Sequence, residues 1–187
     1  MLYEQYIKLI EQKLIDGLFE QIIVTRHEPC ITLGTNSIEN EIIQKTNLPV
    51  VKSNRGGGAT YHDLGQLVLY PIIDLNQRKL NISDYVAILE RWGIDAFAQF
   101  GIVAKKGIQP GLWVSSSKVA FIGLAVKRGF ALHGISFNLQ NCDLSGFSSI
   151  IPCKSFEKIG KCDIDFESML SALKASNPFD IQINVLD

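Results

Sequence analysis

Residues 53–75 read SNRGGGATYHDLGQLVLYPIIDL, and three consecutive glycines stand there shortly before a run of strand-forming residues. Glycine loses more conformational freedom on folding than any other residue, so Gly56, Gly57 and Gly58 weaken the local structure unless something approaches their backbone closely. The apolar and β-branched residues at positions 65–75 favour a strand that is covered on both faces. The segment therefore predicts a buried central strand, preceded by a loop whose backbone other groups can approach closely.

Two interpretations of the glycine loop stay open from the pattern alone. A glycine-rich turn before a buried strand explains it without any ligand. Nucleotide P-loops need GxxxxGK[ST] and dinucleotide folds need GxGxxG leading into a helix, and the segment has neither pattern. A loop without Cβ atoms can nevertheless let a chain or an oxyanion lie against its main chain, with Arg55 and His62 supplying donors at either end.

The rest of the sequence alternates between helical and extended patterns. Apolar residues recur at helical spacing through residues 6–18 and again through residues 82–97, where Asn81 or Ser83 is a candidate cap. Extended segments are predicted at 21–34, with a turn through residues 28–29, and three times within 111–139. Residues 165–176 predict a closing helix before a short terminal strand. Strands in the middle with helices on their flanks predict a mixed α/β or α+β domain.

Composition excludes several classes of protein. The 187 residues are 47% apolar and 20% charged, and 18 basic against 19 acidic residues give a formal net charge of −1. This balance is unlike a nucleic-acid-binding or basic membrane-binding surface. The first residues lack the apolar core of a secretion signal, and no apolar stretch is long enough to cross a bilayer. We expect one domain over residues 1–187 and a cytoplasmic location.

The four cysteines contain no CxxC pair, so a disulfide framework is not expected in a cytoplasmic chain of this size. A zinc site is an alternative, but the separations between its candidate ligands are far from the short spacings of zinc knuckles. Those candidates are His133, Cys142, Cys153 and Cys162. We therefore predict no metal site.

Cys153 stands in the segment SSIIPCKSFEK, after a proline and close to Lys154 and Lys158. Positive surroundings lower the pKa of a thiol and make the thiolate available, whereas burial raises it. Pattern alone favours a structural cysteine over a nucleophile.

Lys118 is the second unusual residue, because it shares a predicted strand face with Ala120, Ile122 and Leu124. A lysine on an apolar face either extends to solvent at the strand end or is kept inside for a purpose. Extension to solvent is the default expectation, since fully buried lysines are rare.

Four segments in unbroken order, from about residue 22 to 153, resemble the octanoyltransferases of lipoate biosynthesis. Such enzymes move an octanoyl group from acyl carrier protein to a lysine of lipoyl domains. RGGGATYHDLGQLVLYPIIDL is similar to that family's RGG-x-x-TYHGPGQ-x-x-x-YPI segment, and HEPCITLG to its HxPxxTLG segment. PGLWV through KVAFIG, and HGISFNLQNCDLSGFSSIIPC, resemble its G-x-W-V with K-I-A-x-I/L-G and its HG-x-x-x-N through PCG stretches.

The resemblance implies a fold, a chemistry and a set of site residues. The fold is that of the biotin and lipoate protein ligases, a single domain with a mixed, mostly antiparallel sheet and flanking helices. Cys153 is implied to be the acyl-thioester nucleophile and Lys118 its general acid and base. The implied substrate-binding residues are Arg55, Gly56, Gly57, Gly58, Ala59, Thr60, Tyr61, His62, Phe121, Ile122, Gly123, Gly134, Ile135 and Ser136.

The same resemblance implies no cofactor and no metal, because octanoyl-phosphopantetheine on acyl carrier protein is the acyl donor. The implied partners are acyl carrier protein, the lipoyl domains of 2-oxoacid dehydrogenase E2 subunits and the glycine cleavage H protein. No nucleic-acid or membrane partner is expected.

Three positions, in two segments, depart from the family pattern. Asp63 and Leu64 replace Gly-Pro after the histidine, and Lys154 replaces the glycine after the cysteine. The segment YHDLG is closer to the corresponding loop of the ATP-dependent lipoate protein ligases, which reads SGGGAVYHDLGN. Those ligases do not need the paired cysteine and lysine, so the pair favours the transferase.

A non-catalytic acyl-binding module of the same fold is a third possibility. His27 and His133 are assigned no role, and Asp63 is expected to be a solvated carboxylate.

Overall fold

A seven-stranded sheet forms the centre of the protein. The computed structural model describes residues 1–17, 19–38, 41–152 and 158–186. In spatial order the strands are β10 (Ile183–Val185), β1 (Gln21–Thr25), β5 (Gln66–Asp74), β9 (Phe130–Asn138), β8 (Ser117–Lys127), β7 (Gly111–Val114) and β6 (Ala104–Lys106). The β1–β10 pairing is parallel and the other pairings are antiparallel. The predicted mixed, mostly antiparallel sheet is confirmed.

A second, three-stranded sheet carries the glycine loop. Its order is β3 (Val50–Lys52), β2 (Cys30–Leu33) and β4 (Ala59–His62), with β2 parallel to β3 and antiparallel to β4. Residues 53–58 connect β3 to β4, so the glycines join the two outer strands of this sheet. The sequence did not predict β3 or β6, because three residues are too few to show a periodicity.

In the described part of the chain, three α-helices cover the large sheet: α1 (Tyr3–Asp16), α2 (Ile82–Ala98) and α3 (Phe166–Ala175). The side chains of Asn81 and Asp165 cap α2 and α3 by accepting hydrogen bonds from backbone amides of the first turn, each at 2.9 Å. The predicted first helix ends at Asp16, and Leu18 lies outside the described residues. No helix in the described part of the chain is long and apolar enough to span a membrane.

β5 is buried on both faces, as its sequence predicts. Leu67, Leu69 and Ile73 pack into the core beneath α2 and α3. Val68 and Tyr70 face the opposite way and pack with the apolar side of α1. Successive side chains of a strand point to opposite faces, so one continuous apolar run supports two helical layers.

An aromatic layer between α1 and the sheet contains all three histidines of the chain. The rings of Tyr6 and Tyr70 stack with centroids 3.8 Å apart, and Nε2 of His27 lies 2.7 Å from the Tyr70 hydroxyl. Burial lowers the pKa of His27 to about 4 and that of His133 to about 3. It holds the pKa of His62 well below its usual value, and the positive charge of Arg55 adds to this for His62 and His133. The folded protein therefore keeps the three imidazoles neutral at neutral pH.

We expect the protein to lose stability as the pH falls from about 7 towards 5.5. Below the ordinary histidine pKa of ~6.5, the histidines of the unfolded chain bind protons, whereas those of the folded chain stay neutral. Proton binding therefore stabilises the unfolded state, and the free energy of unfolding, which is at its full value above that pH, decreases. Each histidine contributes about 1.4 kcal/mol at one pH unit below 6.5, which gives roughly 4 kcal/mol for three. Urea unfolding at pH 7.5 and 5.5 measures the loss.

The His27→Asn variant is the control for this effect, because it removes one titrating group and should reduce the pH-dependent loss by about a third. Equal unfolding free energies of the parent protein at the two pH values would contradict the neutral, buried histidines.

Candidate active site

The glycine loop is folded around the side chain of Arg55. Nη1 of Arg55 donates to the carbonyl oxygens of Gly56 and Gly58 at 3.1 and 2.9 Å. Nη2 donates to the carbonyl and hydroxyl oxygens of Thr32, both at 2.8 Å. Each guanidinium Nη carries two hydrogens, so all four are used within the protein. Arg55 therefore holds the loop to β2.

The buried residue Glu41 stabilises the glycine loop. Its side chain is 1% exposed, and Oε2 accepts a hydrogen bond of 2.6 Å from the amide of Ala59. A Cβ at Gly58 would lie 2.6 Å from Oε1, so a larger residue there would displace this carboxylate. The carbonyl of Glu41 accepts from the amide of Ile151 at 2.8 Å. Glu41 thus joins the loop to the segment that leads towards Cys153.

A cavity opens between β4, the sheet and the start of α1, and we call it the sheet cavity. The space between its walls that no atom fills is about 400 Å³, including the open mouth. Its walls are Tyr3, Arg55, Thr60, His62, Val68, Tyr70, Phe121, Ile122, Gly123, His133, Gly134, Ile135 and Ser136. Nine of the fourteen predicted substrate-binding residues line it.

A second space, the lysine cleft, lies beside the first. It has about 930 Å³ of empty space including open solvent, and its walls include the three glycines of the loop and Lys118. Ile122 and Gly123 of β8 border both spaces, so the two meet at this strand. A Cβ at Gly123 would lie 2.8 Å from Cδ of Arg55, so a glycine is needed where the arginine crosses β8.

Lys118 is fully buried, so the default expectation that it extends to solvent is wrong. Its Nζ lies 4.5 Å from the ring centroid of Trp113 and 5.2 Å from that of Phe121, distances at which a cation is attracted to an aromatic face. The bulge between β7 and β8 occurs at this point, where the register shifts between Leu112 and Trp113. Bulges re-aim side chains and are frequent next to active sites.

Cys153 lies outside the described residues, together with Lys154. The chain on both sides of them is described. Ile150 is buried in a cluster with Phe121. Lys158, five positions after the cysteine, accepts a 2.8 Å hydrogen bond from the amide of Lys118, and the carbonyl of Lys118 accepts one from Gly160 at 2.9 Å. The chain that returns from Cys153 is therefore paired directly with Lys118.

Two predicted residues, Ala59 and Tyr61, do not line the sheet cavity. Both are buried on the other face of β4, where the ring of Tyr61 packs against Phe147 with centroids 5.4 Å apart. The two-residue alternation of a strand sends Thr60 and His62 to the cavity and their neighbours away from it. Gly56, Gly57 and Gly58 line the lysine cleft instead.

Asp63, expected as a solvated carboxylate, is buried in the structure. Its Oδ2 accepts hydrogen bonds from the amides of Gly65 and Asp143 at 2.8 and 3.1 Å, and Oδ1 accepts one from the Tyr61 hydroxyl at 3.3 Å. Buried carboxylates need such partners, and a proline at position 64 is not required for this turn. Asp63 is a structural residue that ties the β4–β5 turn to the loop at Asp143.

The three described thiols are poor nucleophiles. Burial raises the pKa of Cys30 and of Cys142 to about 12 and that of Cys162 to about 11. At neutral pH they carry almost no thiolate, the reactive form. In the described part of the chain, no group of three or more histidine, cysteine or acidic side chains is arranged to hold a metal ion.

Sequence reasoning missed several residues of the site. Tyr3, Val68 and Tyr70 line the sheet cavity, and so does His133, which had no assigned role. Tyr3 lies on an amphipathic helix and the others on apolar strands, where a core position and a cavity wall have the same pattern. Glu41 belongs to no motif, so no signal in the sequence identifies it.

Comparison with known proteins identifies the family to which the chain belongs. Residues 9–186 match the family model of the lipoyl protein ligase A/B catalytic domain. A curated octanoyltransferase from Xanthomonas euvesicatoria pv. vesicatoria is 36% identical over 159 residues, which are 83% of this chain and 68% of that protein. One from Methylococcus capsulatus is 39% identical over 139 residues, 74% of this chain and 67% of that protein.

Solved structures show the same fold. A putative lipoate protein ligase from T. acidophilum with bound lipoic acid has a TM-score of 0.73 at 16% identity, covering 96% of this chain and 84% of its own. A lipoate-protein ligase A bound with ATP has a TM-score of 0.74 at 16% identity, covering 95% and 81%. The predicted ligase-like fold is confirmed. The chain therefore belongs to the lipoyl protein ligase A/B catalytic domain family and, within it, to the octanoyltransferases.

Proposed function

We propose that this octanoyltransferase takes its acyl group from octanoyl-phosphopantetheine on acyl carrier protein and passes it through a thioester on Cys153 to a lysine of lipoyl domains. The acceptors are the lipoyl domains of 2-oxoacid dehydrogenase E2 subunits and the glycine cleavage H protein. Lys118 acts as general base and general acid. The observation that carries the proposal is the buried Lys118, whose backbone pairs with Lys158 and Gly160 just after the cysteine.

The first half-reaction exchanges one thioester for another. Lys118 accepts the proton of the Cys153 thiol, and the thiolate attacks the carbonyl carbon of the octanoyl thioester. The tetrahedral intermediate collapses with cleavage of the bond to the pantetheine sulfur, which takes the proton back from Lys118. The two thioesters are nearly matched in energy, so little of the acyl-transfer potential is lost and the carrier protein is free to leave.

The second half-reaction forms the stable amide. Lys118 removes one proton from the incoming lysine ammonium, and the resulting amine attacks the acyl carbon. As the bond to the Cys153 sulfur breaks, the nitrogen loses its second proton, which the leaving thiolate takes up, and Lys118 releases the first proton to solvent. Dividing the transfer in this way replaces one encounter of three proteins by two encounters of two, and its kinetic signature is a ping-pong pattern.

The glycine loop is a candidate for stabilising the oxyanion of each tetrahedral intermediate. The amide of Gly56 is used by the carbonyl of Leu124 at 2.7 Å, and that of Ala59 by Glu41. The loop amides left as candidates are those of Gly57 and Gly58, which border the lysine cleft. A donor aimed at a developing oxyanion is commonly worth about 3 kcal/mol.

The first test is covalent labelling. Mixing the protein with octanoyl-acyl carrier protein should add one octanoyl group to the chain, and hydroxylamine should release it, as seen by intact-mass spectrometry. Cys153→Ser should abolish the adduct. Cys142→Ser is the control and should keep it, because burial raises the pKa of that thiol to about 12. An adduct and full turnover in the Cys153→Ser variant would show that the nucleophile is another residue.

The second test addresses Lys118. Lys118→Arg replaces the amine by a guanidinium that stays protonated and cannot accept the thiol proton, so kcat should fall by about 10²–10⁴-fold. Lys118→Met leaves neither a cation nor a proton acceptor beside the thiol, so alkylation of Cys153 by iodoacetamide in this variant should slow at pH 7 and recover towards pH 9, where the thiol ionises unaided. Lys161→Arg, on the neighbouring segment, is the control. An unchanged pH profile of alkylation in a folded Lys118→Met variant would remove the base assignment.

The second candidate function is ATP-dependent ligation of lipoate or octanoate, because the segment YHDLG resembles the corresponding loop of those ligases. The ligase structures share the fold at 16% identity, whereas the relatives at 36–39% identity carry the name octanoyltransferase. We expect transfer from octanoyl-acyl carrier protein to need neither ATP nor magnesium, and free octanoate with ATP to give no octanoylated lipoyl domain. Octanoylation that depends on ATP would instead establish the ligase.

A non-catalytic acyl-binding module would show saturable acyl binding, no adduct at Cys153 and no transfer to a lipoyl domain. The labelling experiment with Cys153 therefore also separates this third possibility from the transferase.

A further inference from the structure

The sheet cavity runs across three adjacent strands of the large sheet. Its wall on β8 is Phe121–Gly123, its wall on β9 is Gly134–Ser136, and its wall on β5 is formed by Val68 and Tyr70. Neighbouring strands lie about 4.8 Å apart, so β5 is about 10 Å from β8. That distance is comparable with the extended length of an eight-carbon chain.

The two ends of the cavity differ in what lies beyond them. At β8, Ile122 and Gly123 also border the lysine cleft, so this end is next to Lys118. At β5 the cavity meets the start of α1, where Tyr3 belongs to the same buried cluster as Val68 and Tyr70. A chain attached beside Lys118 would therefore point its methyl end at Tyr3.

Tyr3 is held in place from several sides. Its ring stacks on His62, with centroids 5.3 Å apart and planes inclined by 20°, and its edge contact with His27 has a centroid distance of 5.0 Å. Its hydroxyl lies 2.9 Å from Oγ of Ser53, which also accepts from the amide of Arg55 at 3.3 Å. A longer acyl chain could gain room only by displacing a ring fixed by these contacts.

We propose that Tyr3 is the specificity-determining residue that ends the acyl cavity and limits the transferred chain to about eight carbons. The proposal rests on the transferase function proposed above and adds to it the determinant of chain length. His62 is a positioning residue in this arrangement, because it holds the Tyr3 ring across the end of the cavity.

The experiment compares transfer of octanoyl, decanoyl and dodecanoyl groups from acyl carrier protein to a lipoyl domain. Tyr3→Ala should raise the ratio of decanoyl to octanoyl kcat/KM by about tenfold or more, because two additional methylenes can then be buried. Tyr3→Phe keeps the ring and loses only the hydroxyl, with its contacts to Ser53 and Arg55, so it should retain the octanoyl preference within about threefold.

Ile10→Ala is the matched control. Ile10 is buried in the same cluster and on the same helix as Tyr3, but it does not line the cavity. It should lower stability without changing the order of chain lengths. If Tyr3→Ala does not fold, Tyr3→Leu shortens the same side chain and should shift the ratio in the same direction.

Binding of the free acids separates this proposal from the transferase proposal. Octanoate, decanoate and dodecanoate should each raise the melting temperature, most for octanoate in the parent protein and most for a longer acid in Tyr3→Ala. This order holds even if no acyl group is transferred, in which case the transferase mechanism fails alone. A folded Tyr3→Ala or Tyr3→Leu variant with the chain-length order of the parent protein in both assays would overturn the role of Tyr3.

Discussion

The guanidinium of Arg55 is the interaction on which the geometry of the site depends. Four hydrogen bonds fix it to the carbonyls of Gly56 and Gly58 and to Thr32, and its aliphatic part crosses β8 at Gly123. A buried charge needs this number of partners to offset its desolvation. The need to satisfy one cation thus sets the shape of the loop, ties the small sheet to the large one and shapes the boundary between the sheet cavity and the lysine cleft.

This boundary gives the two spaces different chemistry. The sheet cavity is lined largely by apolar and aromatic side chains and by glycines, which suits an acyl chain. The lysine cleft contains Lys118 and the glycine loop, which suit proton transfer and an oxyanion. The proposed covalent mechanism needs both at the same carbon atom, and Ile122 and Gly123, which line both spaces, are where the proposal puts the acyl carbonyl.

The departure from the octanoyltransferase pattern at Asp63 has a structural explanation. The Asp63 carboxylate replaces a Gly-Pro turn by hydrogen bonds to Gly65, Asp143 and Tyr61, on the face of β4 that points away from the sheet cavity. The ligase-like residues at this position therefore change the hydrogen bonds that stabilise the turn. They do not alter the walls of either space, and the buried Lys118 remains the feature that bears on the acyl donor.

The sequence by itself determined the elements with strong local signals. The fold, the family and most residues of the cavity walls follow from three such signals: the two-faced apolar run of β5, the capped pattern of α2 and four motifs in register. Periodicity, capping and motif spacing depend on residues that are close together in the sequence. Tertiary structure alone decided that Lys118 is buried, that Arg55 holds its own loop and that Ala59 and Tyr61 face away. It also decided that Tyr3 and Glu41, remote in sequence from every motif, belong to the site. Those outcomes depend on which strands pair and which helix covers them. The residues next to a side chain in the sequence do not indicate which residue it contacts fifty positions away.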